Sequence, residues 1–265
     1  MCTLIAVFGV NPDLPLVVAA NRDELYARPW APPERLRDTP RVVGGRDLTQ
    51  KGTWLGVTAT GFFVGVTNQR TYHSGDATRL SRGQLVLDVL VEGSVEGARQ
   101  RLAAIDARRY NPFNLLFGDA RTLYVAYARD EERVAVESLG PGIWVLNNDA
   151  IGSRDFPKAS LAKDRVQSLA SEPWAHLERG LEIVLGDHAL PPEEDIAEPP
   201  EGSALTRESL RALQAVCVHT PLYGTSSATI LAMGPEGVRD YRFAPGPPCV
   251  TPFVSAMGEL EGNPR

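Results

Sequence analysis

Two apolar runs near the start of the chain, "TLIAVFGV" and "LPLVVAA", are separated only by Asn11, Pro12 and Asp13. Apolar arms joined by such a turn predict a β-hairpin, with the second strand ending at Ala20. A hairpin here commits the first residues of the chain to a sheet, and with them Cys2, which stands directly before the first arm. A thiol at that place has four readings: an accident, a buried strand residue, a lipid attachment point, or the mature N-terminus of an enzyme. Each requires different companions further along the chain.

The segments "GTWLGVTAT" and "FFVGVTNQR", divided around Gly61 and filled with β-branched and aromatic residues, predict a second strand pair. Residues up to Arg70 therefore read as antiparallel sheet. Ser81 and Gln84 have capping-box spacing ahead of the helix "LVLDVLVEG", and "EGARQRLAAIDA" reads as a second helix with arginines on one side. Strands return in "FNLLFGD", "TLYVAYA", "RVAVESL" and "IWVLNN". Helices follow in "PKASLAKDRVQSLA" and "EPWAHLERGLEIVL", the latter entered through Ser171 with proline in its first turn. A short helix from about Glu208 and strands through "VCVHT", "TILAMG" and "VRDYRF" complete the chain. Blocks of strands and blocks of helices define an α+β layered domain rather than alternating βα units. The acidic, proline-rich "PPEEDIAEPPEG" reads as an exposed loop at about residues 190–203 inside a single domain spanning 1–265, not as a boundary.

With 265 residues, 43% of them hydrophobic, the chain can bury a large core. A net charge of -6 and a pI near 5.3 lack the basic footprint of a nucleic-acid binder, so nucleic acid is set aside as a partner. No cationic segment precedes the apolar runs, and Asn11, Pro12 and Asp13 break them, which argues against a secretory signal or an integral membrane segment. Position 2 is not glycine, so the myristoylation pattern is absent. Cys2, Cys217 and Cys249 are odd in number and too widely spaced for a disulfide framework or a short-range metal motif. A reducing, cytoplasmic setting is the expectation.

The companions of Cys2 come directly after the second strand, in "NRDELYARP". The bland reading of Asn21, Arg22, Asp23 and Glu24 is a solvated turn. The other reading uses hairpin geometry: antiparallel pairing returns the end of the second strand to the start of the first, bringing Arg22 and Asp23 beside the thiol. Removal of Met1, which aminopeptidases perform when the next residue is small, would leave Cys2 with a free α-amine. Such an amine titrates at about 7.7–8.0 and a thiol at about 8.5, so the amine can act as base toward its own side chain. A guanidinium favours the thiolate and a carboxylate can hold the amine.

The ordered set "MCTLIAVF", "AANRDELYARP", "GTWLGVTATGFFVGVTN", "SRGQLV", "NPFNLLFGD" and "AVCVHTPLYGTSSATIL" resembles the NRDE family, also called the transport and Golgi organisation family, from residue 2 to about 232. That family looks like a branch of the N-terminal-nucleophile (Ntn) hydrolases, nearest the penicillin V acylase and bile salt hydrolase group. The resemblance implies a four-layer αββα sandwich whose first strand starts with a catalytic cysteine, helped by Arg22 and Asp23. It also implies oxyanion-supporting asparagines at Asn68 and, in "VLNNDA", at Asn148, with Asn147 as the fallback. Fixed amide N–H donors in a dry pocket stabilise the negative charge that builds on an attacked carbonyl by several kcal/mol; the bland reading of each asparagine is a strand-end turn residue.

One departure stands out. Family members usually carry "YGTR" where this chain has Tyr223, Gly224, Thr225 and Ser226, and serine supplies no cationic fork. Either another residue, such as Arg70 or Arg154, replaces it, or efficient hydrolysis is lost, or the position is structural. His73, His176, His188 and His219 show no metal-ligand spacing, so neither a metal nor a cofactor is expected. Cys217 reads as a small hydrophobe in a strand, Trp54 and Trp144 as sandwich packing, and "GGRD" at Gly44–Asp47 as a turn. Two functions follow: a cysteine-dependent hydrolase of a linear non-peptide amide, or a binding or trafficking protein holding an apolar ligand such as haem or lipid in the same pocket.

Overall fold

The computed structural model describes residues 2–203 and 205–261. The N-terminal hairpin forms from β1 (Thr3–Phe8) and β2 (Leu16–Leu25). Next come β3 (Trp30–Asp38), β4 (Arg41–Asp47), β5 (Leu55–Thr58) and β6 (Phe63–Asn68), then α1 (Arg82–Val91) and α2 (Val95–Ala104). Strands β7 (Phe113–Gly118), β8 (Leu123–Ala128), β9 (Ala135–Leu139) and β10 (Gly142–Leu146) precede α3 (Pro157–Gln167), α4 (Trp174–Leu185) and α5 (Arg207–Ala212). The described chain closes with β11 (Tyr223–Gly234), β12 (Gly237–Ala244), β13 (Val254–Ser255) and α6 (Met257–Glu261).

The strands form two sheets, one six-stranded in the order β10-β1-β2-β11-β12-β13 and one seven-stranded running β3 to β9 in sequence order. β1 explains why the sheets stack. Leu4, Ala6 and Phe8 face Val43, Leu55, Val57, Phe63 and Leu116 of the other sheet, whereas Ile5 and Val7 face Ala162, Val166, Leu181 and Val184 of α3 and α4. A strand covered on both faces must be apolar at successive positions, as "TLIAVF" is. On the far side Leu85, Val86 and Leu102 of α1 and α2 pack against Val64, Phe113, Leu115 and Phe117. The layers therefore run helix, sheet, sheet, helix, the expected αββα order. Cutting a side chain such as Leu4 to alanine from the middle of this stack costs about 2–5 kcal/mol.

Local signals behave unevenly. Ser81 caps α1 by accepting from the Gln84 N–H at 3.2 Å, but the Gln84 amide turns to Asp88 rather than closing the box. α4 begins at Trp174 with Pro173 as the residue before it and no side-chain cap, so Ser171 is not its entry. "GGRD" is the end of β4 rather than a turn, paired with Trp30, Ala31 and Glu34. Its glycines serve packing: a Cβ on Gly45 would lie 2.3 Å from the Trp54 ring. "VCVHT" is not a strand either; it is an irregular segment held by the His188 ring, which meets the Cys217 carbonyl, and by a bridge between His219 and Gly224. The acidic proline-rich segment contains a short 3₁₀ turn, Glu193–Asp195, and anchors itself through buried Ile196.

Candidate active site

β2 does not stop at Ala20. It runs on to Leu25 because β11 pairs with the whole extension, Ala228 opposite Asn21 and Thr225 opposite Asp23, with a bulge at Ser226. β11 pairs the whole extension, with β1 reaching only as far as Asn21, and each of the four polar residues finds a specific partner. Asn21 donates to the carbonyls of Leu185 and Val216 at 2.8 and 2.9 Å, clamping the end of α4. Arg22 turns toward the sheet interface, donating to Ser226 Oγ at 2.8 Å with its guanidinium 4.5 Å from the Trp54 ring. Asp23 turns to the helix side, its Oδ1 accepting from Thr225 Oγ1 at 2.6 Å. Glu24 reaches Arg22 and Arg28 at 3.8 and 3.7 Å. Such a cluster looks like a turn in sequence because it is polar, and is a strand because a neighbour strand and a helix layer absorb the polarity.

The hairpin register sets Thr3 opposite Asn21, which carries Cys2 to the level of Arg22 and Asp23. The Cys2 thiol points to the Asp23 carbonyl at 3.9 Å, and Tyr223 donates its hydroxyl to the same carbonyl at 2.8 Å. From the end of β10, Asn147 donates to the Cys2 carbonyl at 3.3 Å and to Thr3 Oγ1 at 3.1 Å. Asn148 donates instead to the Asn68 carbonyl at 2.6 Å. The two neighbours thus divide the work: Asn147 grips the chain at the cysteine, and Asn148 ties the six-stranded sheet to the end of β6. Both lie buried, each with its amide oxygen unpartnered among the described residues, whereas Asn68 is exposed at the strand end.

Lys158 carries no sequence signal and is the surprise of the site. It lies in the first turn of α3, fully buried, donating to the carbonyls of Leu213 and Ala215 at 3.2 and 3.3 Å. Its Nζ faces Asp23 Oδ2 at 4.0 Å, and that oxygen has no hydrogen bond among the described residues. Burial pushes the Asp23 carboxyl up, against the pull of Lys158 and Thr225. Burial likewise pushes the Lys158 ammonium down, against Asp23. The Cys2 thiol is raised by burial and by the Asp23 charge, with Arg22 acting in the opposite direction. Arg82, a second residue that sequence reasoning passed over, is lowered by burial and held up chiefly by its closeness to Cys2.

A cavity of about 1150 Å³ opens beside this cluster, lined by Asn68, Arg70, Arg82, Asn148, His219 and Tyr223 among others. Of the two arginines considered in place of the missing one, Arg70 lines this cavity, ion-paired to Asp155 at 2.7 Å, while Arg154 lines a different hollow with Pro157 and Pro192. Arg82, also on the cavity wall, feels the charge of the Cys2 thiolate. Ser226 does not substitute for a guanidinium; it accepts from Arg22 and donates back to the Arg22 carbonyl at 3.1 Å. The expectation of isolated histidines fails for His188 and His219, whose rings lie 5.0 Å apart beside Cys217 and Cys249. Three separate segments supply that group, so no local spacing announces it.

The αββα stack is the fold of the N-terminal-nucleophile hydrolases, and solved structures with that fold superpose on this chain. The C2A mutant of conjugated bile acid hydrolase from Clostridium perfringens superposes with a TM-score of 0.55 at 13% identity, over 100% of this chain and 95% of that one. A Caenorhabditis elegans N-acylethanolamine-hydrolyzing acid amidase ortholog gives 0.54 at 11% identity, over 87% and 92%. The chain belongs to the Transport and Golgi organisation 2 family, whose match covers residues 1–242. The Transport and Golgi organization protein 2 homolog of Bos taurus is 28% identical over 254 residues, 89% of this chain and 90% of the relative. The Homo sapiens homolog is 26% identical over the same shares. Among the described residues no helix is long and apolar enough to cross a membrane.

Proposed function

We propose that the chain is one Ntn-type domain that hydrolyses a linear, non-peptide amide through Cys2, in the reducing cytoplasm that its free thiols suit. The observation that carries this reading is Cys2 at the head of β1, its thiol turned to the Asp23 carbonyl and its own carbonyl held by the Asn147 amide, next to a cavity large enough for a small-molecule substrate. The reading requires the bond between Met1 and Cys2 to be cut. The α-amine so created takes the thiol proton, and the thiolate attacks the amide carbonyl carbon. The Oδ2 of Asp23, which accepts no hydrogen bond among the described residues, is the acceptor available to orient that amine. Asn148, with Asn68 beside it, supports the oxyanion by its amide N–H. Collapse breaks the C–N bond, the amine leaves with the proton, and a thioester remains on Cys2. Water deprotonated by the α-amine then releases the acid and restores the thiol.

Arg22 and Arg82 supply positive charge near the sulfur, which lowers the cost of the thiolate. A second reading rests on Ser226: without the usual guanidinium at that position the same cavity would serve as a binding or trafficking pocket for an apolar ligand such as haem or lipid. A screen of N-acyl amides with native and Cys2→Ala protein separates the two. Hydrolysis lost in Cys2→Ala, with circular dichroism unchanged, supports the enzyme. Activity that survives the substitution sinks it, and a ligand that co-purifies equally with both forms favours the binding protein.

A further inference from the structure

We propose that Cys217, His219, Cys249 and His188 form a tetrahedral site for a thiophilic divalent cation, zinc by chemistry, beside the start of β11. The ligand atoms of all four lie within 4.8 Å of one another. Cys217 Sγ stands 3.7 Å from Cys249 Sγ and 3.7 Å from His219 Nε2, and His219 Nε2 stands 3.3 Å from Cys249 Sγ. A tetrahedral zinc with bonds of about 2.3 Å to sulfur and about 2.0 Å to nitrogen separates two thiolates by about 3.8 Å and a thiolate from an imidazole nitrogen by about 3.5 Å. Three of the four ligands are thus already spaced for the ion. The fourth, His188, is exposed, with its ligand atom inside the same 4.8 Å group.

The ring chemistry agrees. His188 Nδ1 lies 2.9 Å from the Cys217 carbonyl, which only accepts, so Nδ1 carries the proton and Nε2 carries the lone pair. A second ring nitrogen bonded to a carbonyl is how metal-bound histidines are commonly fixed. Binding releases one proton from each thiol, and two thiolates with two neutral imidazoles leave a divalent ion uncharged overall. The competing use of the same atoms is a Cys217–Cys249 disulfide. The histidines argue for the ion, since a disulfide has no need of two imidazoles converging on its sulfurs.

Such an ion would join the chain after α4, the segment before β11 and the loop after β12. It also touches the candidate active site through short links: the Val218 N–H donates to Thr225 Oγ1 at 2.9 Å, and Thr225 holds Asp23. His219 itself lines the cavity beside Cys2. The site is independent of whether Cys2 reacts, and its test uses no substrate.

The experiment is titration of the reduced, desalted, full-length protein with Co²⁺ under anaerobic conditions. The expected result is one equivalent bound with the intense visible bands of tetrahedral cobalt and thiolate-to-cobalt charge transfer, displaced by Zn²⁺. Cys249→Ser at a half-buried position and His188→Ala at an exposed one should each weaken Zn²⁺ affinity by more than about tenfold, with circular dichroism confirming the fold. Cys2→Ala should leave the spectrum intact. A pale octahedral spectrum, absent charge transfer, or bands lost in Cys2→Ala instead of Cys249→Ser would overturn the site. So would failure of the reduced protein to take up cobalt.

Discussion

Replacing Lys158 by methionine isolates the least expected feature of the candidate site. The side chain is fully buried, methionine matches its length, and three partners lose their donor or counter-charge: the carbonyls of Leu213 and Ala215 and the carboxylate of Asp23. Removing one member of a buried ion pair costs about 3–5 kcal/mol, because the other charge stays desolvated. The 4.0 Å separation is at the outer limit of an ion pair, which points to the lower end, about 3 kcal/mol. Against whole-protein stabilities of about 5–15 kcal/mol this is a large share. Urea unfolding at neutral pH reads it directly, and Asp23→Asn with the double variant completes a cycle. In the double variant no charge is stranded, so its loss should fall short of the sum of the singles by at least about 1 kcal/mol. The pH dependence has a definite sign. Burial raises the Asp23 carboxyl in the folded state, so its contribution to stability is full below the unfolded value of about 3.9 and declines as pH rises through the raised value. Lys158→Met should therefore cost less at pH 4 than at pH 7. A loss within about 0.5 kcal/mol of zero, strict additivity, or a larger deficit in acid would refute the pairing.

Further outcomes follow from the same geometry. Asn148→Ala should cut turnover of an amide substrate by about 10²–10³-fold and, by freeing the Asn68 carbonyl, cost about 1 kcal/mol of stability, whereas Asn147→Ala, which frees both the Cys2 carbonyl and Thr3, should cost about 1–3 kcal/mol in urea unfolding. Iodoacetamide labelling of Cys2 in chain that keeps Met1 should rise only above about pH 8.5, the ordinary thiol value, because burial pushes this thiol up. After Met1 is removed the rise should move to about pH 8, where an α-amine titrates. Zinc at a hundred times its Kd should stabilise the protein by about 2.7 kcal/mol, and a chelator should lower Tm by roughly 2–4 °C for each kcal/mol withdrawn; an unchanged Tm contradicts a bound structural ion.

Much of the frame was legible because it is written locally. The Asn11-Pro12-Asp13 turn, the doubly apolar β1 and the Ser81 cap each report their own element, and the block order of strands and helices carries the layering. β3 was harder to see. "WAPPERLRD" is proline-containing and largely polar, and it forms a strand at the edge of its sheet, where proline needs no ladder partner on the open side. Asn21 to Glu24 read as a turn because nothing near them in sequence announces β11, some two hundred residues later, as their partner. Lys158 and the Cys217–His219–Cys249–His188 group are tertiary creations of the same kind. A lysine in a helix's first turn is ordinarily solvated, and four ligands spread from 188 to 249 share no spacing rule.

The most direct test of a nucleophilic Cys2 is the intact mass of the protein isolated from cells, before and after a thiol-reactive acylating probe, with the labelled residue found by fragmentation. A chain lighter by the mass of Met1 and labelled rapidly at Cys2, ahead of Cys217 and Cys249, is the predicted result. A chain that keeps Met1, or whose Cys2 stays inert after Met1 is gone, contradicts it.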